Sequence, residues 1–304
     1  MRLDDFDPNI NVGDQRGQSR GGGFGGGGGG GGMLLGLIPF VFSRFGCGGV
    51  VVLLLVAVFF SGGVGLMSGG TGGQAPAGQV ASPVGGTSAT TSCSVDASSR
   101  AACNAYSSAN KTWAALFQRA GKRYQEPSLQ FFAREGNSGC GAAQSAMGPF
   151  YCPTDTGIYL DTSFFAELSQ RFGASGDFAQ DYVIAHEFGH HIQNLLGTSG
   201  QVQQQMARAS RTQGNALSVR LELQADCYAG VWAAQNRDRL EPGDIEEGLT
   251  AAQAIGDDTL QREAQGRVVP DSFTHGTSAE RMAWLKRGLD SGDPSQCDTF
   301  GGAI

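Results

Sequence analysis

The longest apolar run of the chain lies in its N-terminal third. Residues 45–67 contain no charged side chain, and Val50–Phe60 is wholly apolar. About 20 apolar residues are enough to cross a bilayer, so this pattern predicts a transmembrane helix over residues 45–67. A cleavable signal peptide is the alternative, because its apolar region of about 7–15 residues would fit Val50–Phe60. The 49 residues before Val50 favour an uncleaved anchor, since a signal peptide begins with a much shorter segment.

Glycine and small polar residues dominate both sides of this run. Residues 21–32 are glycine except for Phe24, and residues 68–92 are rich in Gly, Ser, Thr, Ala and Pro. Such segments bury too little apolar surface to fold. We therefore predict a disordered, glycine-rich segment over residues 1–44, a flexible linker over residues 68–92 and a folded domain over residues 93–304.

The distribution of charge predicts how the chain is oriented. Arg16, Arg20 and Arg44 precede the apolar run, and no charged residue follows Arg44 until Asp96. The positive-inside rule then places the N-terminus in the cytoplasm and the folded domain outside. The pattern predicts a single-pass protein of the cell membrane with an extracytoplasmic domain, periplasmic or extracellular.

Cysteine usage and net charge narrow the class of protein further. Six of the seven cysteines lie beyond the apolar run, which indicates disulfides in an oxidising compartment. Their connectivity is mostly open. We predict one pair, Cys140 with Cys152, because these residues flank a short loop rich in Gly, Ala and Ser. The formal net charge is −7, so acidic residues outnumber basic ones and nucleic acid is not an expected partner.

Within the predicted domain, apolar residues recur mainly at helical spacing. The predicted helices are Ala97–Ala120, Asp177–Leu196, Leu217–Gln235, a helix from Pro242 to about Ile255, and Ser278–Leu289. Gly157–Asp161 is the best candidate for a strand. The pattern predicts an α+β fold that is mainly helical, with a small β-sheet.

One predicted helix carries the segment His186-Glu187-Phe188-Gly189-His190. His186 and His190 are four residues apart and share one helical face, so both imidazoles can bind one Zn²⁺. Glu187 lies about 100° around the helix and cannot easily join them as a ligand. It can stand beside a zinc-activated water and take its proton, which makes it the candidate general base. His191 is a candidate only for a surface or supporting role.

A catalytic zinc needs a third protein ligand and an open position. The metzincin pattern would place glycine at 193 and histidine at 196, but the chain has Gln193 and Leu196 there. The next strong helix offers Glu222 and Asp226, again four residues apart. Glu222 is the candidate third ligand to one Zn²⁺ per chain. Asp226 is the candidate acceptor for the outer N–H of a zinc-bound imidazole, and the small residues Gly189 and Ala225 allow the two helices to approach closely.

Three segments carry a resemblance to a known family. His186–Gln193, Glu222–Gly230 and Phe273–Arg281 together resemble the neutral zinc metallopeptidase family, which is bacterial and membrane-anchored through a single span. The third segment is also similar to a T-H-P-x-x-x-R segment of membrane-linked gluzincin peptidases, with Gly276 in place of the proline. The resemblance extends from about Cys93 to the C-terminus and to the N-terminal anchor. It implies a zincin-like fold and hydrolysis of internal peptide bonds in peptide or protein substrates.

Further candidates concern substrate and loop residues. We predict that His275, in the loop before the last helix, donates a hydrogen bond to the reaction oxyanion; a capping or packing role is the alternative. Ser278 is the candidate N-cap of that helix, and Arg281 can anchor the loop by pairing with a carboxylate. Gly157–Asp161 could bind substrate as an added strand. Two other functions stay open: a zinc-binding envelope domain without catalysis, and a hydrolase of a non-peptide amide.

Overall fold

The computed structural model describes residues 1–17 and 88–302 of the chain. The predicted transmembrane helix at 45–67 therefore lies outside the described residues, as do residues 18–44 and most of the predicted linker. Within the two described ranges, no helix is both long enough and apolar enough to span a bilayer.

The described residues form a mainly helical α+β fold, which confirms the predicted class. The helices are α1 (Ala89–Ser92), α2 (Ala97–Arg119), α3 (Ser163–Phe172), α4 (Asp177–Leu195), α5 (Thr198–Met206), α6 (Arg211–Gln235), α7 (Asp244–Ala254), α8 (Asp257–Gln265) and α9 (Ser278–Ser291). The strands are β1 (Val12–Asp14), β2 (Ser128–Phe131), β3 (Glu135–Ser138), β4 (Gly141–Gln144), β5 (Phe150–Cys152) and β6 (Gly157–Leu160).

Four of the five predicted helices both begin and end within two residues of their predicted bounds. The exception is α6, which begins six residues early, at Arg211, because Ser210 and Gln213 form a capping box that satisfies its first backbone N–H groups. Helix α9 is capped in the same way by Thr277 and Glu280, so the prediction of Ser278 as its N-cap is wrong. Loss of such a cap typically costs about 1 kcal/mol.

Small residues set the close packing of the three helices that build the site. Helix α4 packs against α2, α6 and α7, while α9 lies along α6. A Cβ atom added to Gly189 would lie only 2.7 Å from the Cα of Ala225, which confirms the predicted close approach of α4 and α6. A Cβ at Gly288 would overlap the carbonyl oxygen of Cys227, so α9 also touches α6 nearly backbone to backbone.

The main sheet has the strand order β1-β2-β6-β5. β1, β2 and β6 run parallel, and β5 pairs with β6 in the antiparallel sense. β3 and β4 form a separate hairpin. The predicted strand is thus β6, and it lies inside the sheet with neighbours on both sides. It has no free edge for a substrate strand, and that prediction is wrong.

Two predicted boundaries also change. Residues 1–17 were expected to belong to an unfolded tether, but β1 pairs with β2 and Met1 is buried against the domain. A three-residue strand containing Gly13 and Asp14 has too little apolar alternation to be recognised in sequence. The domain also begins before Cys93, because Ala89–Ser92 is helical with Ser88 as its cap.

All six cysteines beyond the apolar run form disulfides. The pairs are Cys93–Cys103, Cys140–Cys152 and Cys227–Cys297. The predicted Cys140–Cys152 pair is confirmed. Cys227–Cys297 joins α6, the helix that also carries Glu222, to the C-terminal segment 70 residues later.

Candidate metal centre

His186, His190 and Glu222 converge where α4 crosses α6. Their ligand atoms all lie within 4.8 Å of one another. The Nε2 atom of His186 is 3.2 Å from one Glu222 carboxylate oxygen, and the Nε2 atom of His190 is 3.4 Å from the other. Zinc bonds of about 2.0–2.1 Å in a tetrahedral site set ligand atoms about 3.3–3.4 Å apart. The spacing of these three side chains therefore suits a single zinc ion.

Each imidazole is held by its other ring nitrogen. His186 Nδ1 lies 2.7 Å from Oδ1 of Asp226, and His190 Nδ1 lies 2.9 Å from the amide oxygen of Gln193. Both oxygens accept, so each Nδ1 donates a proton to its partner, and Nε2 is the ring nitrogen that remains to bind a metal beside Glu222. The orientation that Asp226 was predicted to give to a zinc-binding ring is thus present. Gln193 does the same for the second ring, which the sequence reasoning missed.

Asp226 is the centre of a buried polar network. Arg281 donates from Nε to Oδ2 at 2.8 Å and from Nη2 to Oδ1 at 2.9 Å, and the Tyr182 hydroxyl donates to Oδ1 at 2.6 Å. Burial alone would raise the pKa of Asp226, but the Arg281 and His186 charges and hydrogen bonds outweigh it and lower that pKa to about 2. Arg281 was expected to pair with a carboxylate, and that carboxylate is Asp226.

Glu187 lies beside the ligand trio without belonging to it. Glu187 is 6% exposed, and it lines the same cavity as the three ligands. Burial raises the pKa of Glu187 above its ordinary value, although the neighbouring histidines oppose the shift. A carboxylate with a raised pKa is suited to take up a proton and to release it again near neutral pH.

The cavity over these residues has a volume of about 530 Å³. Strand β5 borders it, and much of its lining is apolar. The apolar lining includes Phe150, Phe164, Phe172, Val183, Ile255 and Leu260. A cleft with an apolar wall and a few converging polar groups is the usual form of a site for an organic ligand.

His275 lines the cavity from the loop before α9. Its side chain is 48% exposed, and its Nδ1 lies 3.1 Å from Oδ1 of Asp257. Asp257 also accepts the backbone N–H groups of Thr274 and His275, each at 2.6 Å, which fixes the loop. Burial acts to lower the pKa of His275, but the hydrogen bond to Asp257 outweighs it and raises that pKa.

Comparison with known proteins agrees with this geometry. A family model described as "Putative neutral zinc metallopeptidase" matches residues 1–300. The chain belongs to this family. The uncharacterized protein YpfJ of Escherichia coli (strain K12) is 49% identical over 264 residues, which cover 85% of this chain and 88% of that protein. The uncharacterized protein Mb2605 of Mycobacterium bovis is 46% identical over 193 residues, or 59% of this chain and 64% of that protein. No solved structure shows significant similarity.

Zinc is the metal that the zinc metallopeptidase family implies, and the donor set fits it. Two imidazole nitrogens and one carboxylate are ligands that catalytic zinc sites use. The hydrogen bonds from both Nδ1 atoms leave the Nε2 lone pairs for a metal. A catalytic zinc uses three protein ligands and one open position, so Glu222 and the two histidines complete the protein part of the site.

His191 is buried, so a surface role is excluded, and it joins α4 to the strand that borders the cleft. Burial lowers the pKa of His191 to about 4, and the ring is neutral at neutral pH. Its Nε2 donates to the carbonyl oxygen of Gln125 at 2.8 Å, so Nδ1 accepts from the Tyr151 hydroxyl at 3.1 Å. Tyr151 lies on β5 and also accepts from Asn194 at 2.9 Å. In this family member, His191 therefore holds β5 against the helix of the metal ligands.

Proposed function

We propose that this protein is a zinc-dependent peptidase that hydrolyses internal peptide bonds. The observation that carries the proposal is the joint placement of the His186, His190 and Glu222 ligand set and the separate carboxylate of Glu187 in one cleft. A zinc site that served structure alone would have no use for a buried glutamate beside the ligands. Membership of the zinc metallopeptidase family supports the same activity.

His186, His190 and Glu222 would hold the zinc ion, which when bound supplies Lewis-acid activation of water and of a peptide carbonyl. Glu187 accepts the proton of the attacking water and returns it to the leaving amine. Its raised pKa supports both transfers. General acid–base groups of this kind contribute about 10²–10⁴ in rate.

Strand β5 is the substrate-docking edge in this proposal. It is the outer strand next to β6, and Phe150 and Tyr151 both contribute to the lining of the cavity that contains Glu187. An extended peptide can add to a free sheet edge through backbone hydrogen bonds. The apolar lining, which includes Phe164 and Phe172, favours a bulky apolar side chain close to the scissile bond.

His275 is the proposed oxyanion donor. The Asp257 bond fixes its ring beside the cleft and favours the protonated form, which supports donation to a developing negative charge. The domain is proposed to work outside the cytoplasm, because three disulfides persist best in an oxidising compartment. The apolar run at residues 45–67 is the proposed attachment to the membrane.

The decisive experiment compares wild type with Glu187→Gln in native membranes. New peptide termini are identified by mass spectrometry after incubation with a mixture of unfolded proteins, and zinc is measured in both samples. We expect wild type to create termini and Glu187→Gln to lose about 10²–10⁴ of that rate while it keeps zinc. Glu246→Gln, an exposed glutamate on α7, is the matched control and should cleave normally.

Other outcomes select the alternatives. Equal cleavage by Glu187→Gln and wild type would refute this mechanism. Zinc in both proteins with no cleavage of any protein substrate would favour a binding domain without catalysis. Release of soluble fragments from cell-wall material, with unfolded proteins left intact, would instead favour a hydrolase of a non-peptide amide.

A further inference from the structure

The first residues of the chain are an integral part of the disulfide-bonded domain. β1 pairs with β2 in parallel register, with Val12 opposite Leu129 and Asp14 opposite Phe131. The Leu129 N–H donates to the carbonyl of Asn11 at 2.8 Å, so the pairing continues beyond the strand itself.

Apolar and polar anchors fix the segment before this strand. Met1 is 2% exposed, and Ile10 and Val12 are also buried in the core. The Phe6 N–H donates to the side chain of Asn104 at 3.1 Å, and the Asp7 N–H donates to Ser107 at 3.0 Å. Both partners lie on α2, so the contacts are spread along the whole segment and do not depend on its first residue.

Arg16 locks the segment beside the Cys93–Cys103 disulfide. Its guanidinium donates to Ser99 at 2.6 Å and to the carbonyl of Ser92 at 2.9 Å. It also pairs with Asp14 and lies 4.4 Å from the ring centre of Phe131. The charge of Arg16 is thus paired within the fold.

We infer that residues 1–17 lie on the same, oxidising side of the membrane as residues 88–302. Atoms in hydrogen-bond contact cannot be separated by a hydrocarbon core about 30 Å thick. The disulfides place that shared side outside the cytoplasm. A single crossing between the two ranges, with a cytoplasmic N-terminus, is therefore incompatible with this fold. The inference does not depend on peptidase activity.

Thiol labelling of the full chain in spheroplasts tests the inference. In a Cys47→Ser background, Asp4→Cys reports on the N-terminal segment and Lys111→Cys on the domain; both positions are exposed. We expect a membrane-impermeant maleimide to label both equally before permeabilisation. Labelling of Asp4→Cys only after permeabilisation would overturn the inference. Labelling of both only after permeabilisation would overturn the assignment to the oxidising side.

A melting experiment tests the docking itself. Val12→Asp places a charge at a position that is 8% exposed, and it should lower the Tm of the purified full chain by about 5 °C or more. Asp4→Asn, at an exposed position of the same segment, should leave the Tm unchanged. An unchanged Tm in Val12→Asp would show that the segment is not docked on the domain.

Discussion

Helix α4 carries two polar clusters, an acidic one at its N-terminal end and the metal site in its second half, and the two clusters are built in opposite ways. The metal end consists of His186, Glu187 and His190 together with Glu222, Asp226 and Arg281. The acidic end consists of Asp177, Asp181, Asp244 and Glu247 around the Met1 ammonium group. That ammonium lies 2.7 Å from Asp177 and 2.9 Å from Asp244. At the metal end Arg281 and the two imidazoles face the carboxylates, whereas the acidic end places four carboxylates around one cation.

Two carboxylates show what this difference does. Asp226 and Asp181 are both buried, at 0% and 3% exposure. The pKa of Asp226 is lowered to about 2 because Arg281 and His186 outweigh the effect of burial. Burial raises the pKa of Asp181 well above its ordinary value, and one of its oxygens has no hydrogen-bond partner among the described residues. Burial alone therefore does not decide the charge of a carboxylate on this helix; the donors that surround it do.

The largest expected effect is at the metal ligands. His190→Ala or Glu222→Ala should reduce zinc from about one ion per chain to nearly none, because two remaining ligands form a poor site. Metal analysis of the purified chain measures this directly. Glu246→Ala, an exposed glutamate on α7, should retain full zinc. Full zinc in Glu222→Ala would show that another residue is the third ligand.

Loss of His275 should have the next largest effect. If its ring donates to the oxyanion, His275→Ala keeps zinc and the fold but loses about 10²–10³ in kcat with little change in KM. Steady-state kinetics and a melting curve on the same sample separate the possibilities. A lower Tm with nearly normal kcat would make His275 a structural residue and remove it from the active site.

The metal end could be predicted from sequence because its information is local. His186, Glu187 and His190 lie within five residues of each other on α4. Glu222 and Asp226 have the same i, i+4 spacing on α6. These pairs need only helical periodicity to be placed on a common face. A missed contact, Gln193 to His190, is also local, and its i, i+3 spacing was an available signal.

The acidic end and the docked N-terminal segment could not be predicted in that way. Met1, Asp177 and Asp244 are far apart in sequence, and each aspartate alone resembles an ordinary polar surface residue. The zincin-like form of the fold and the membrane anchor stay predictions, whereas the docked N-terminal segment argues against the predicted cytoplasmic N-terminus. Nothing in the local pattern indicates which distant elements meet, because that depends on packing across the whole core.

Loss of the Asp226 charge, which orients His186, should have a smaller effect, on zinc affinity. Asp226→Asn keeps the shape but removes the charge that holds the His186 N–H and Arg281. We expect zinc affinity to fall about 10–100-fold, as for other residues that orient a metal-bound histidine. Competition with a chelator of known affinity measures this. The same change at the acidic end, Asp181→Asn, should leave zinc affinity unaltered; equal losses in both variants would remove the distinction between the two ends.

The smallest expected effect is a gain of stability at the acidic end. An acid whose pKa is raised by folding keeps its proton in the folded state at a pH where the unfolded chain has lost it. For Asp181, stability therefore falls as pH rises from about 3.8 through the raised pKa of the folded protein. Asp181→Asn removes this loss, and the amide also avoids burying an unpaired charge. We expect the variant to be more stable by about 1–3 kcal/mol at pH 7.5 and little changed at pH 4. Urea unfolding of the metal-free chain at both pH values measures the difference without interference from zinc. A loss of stability at pH 7.5 would mean that Asp181 is ionised and bound to the Met1 ammonium, and that the acidic end, like the metal end, is stabilised by its charges.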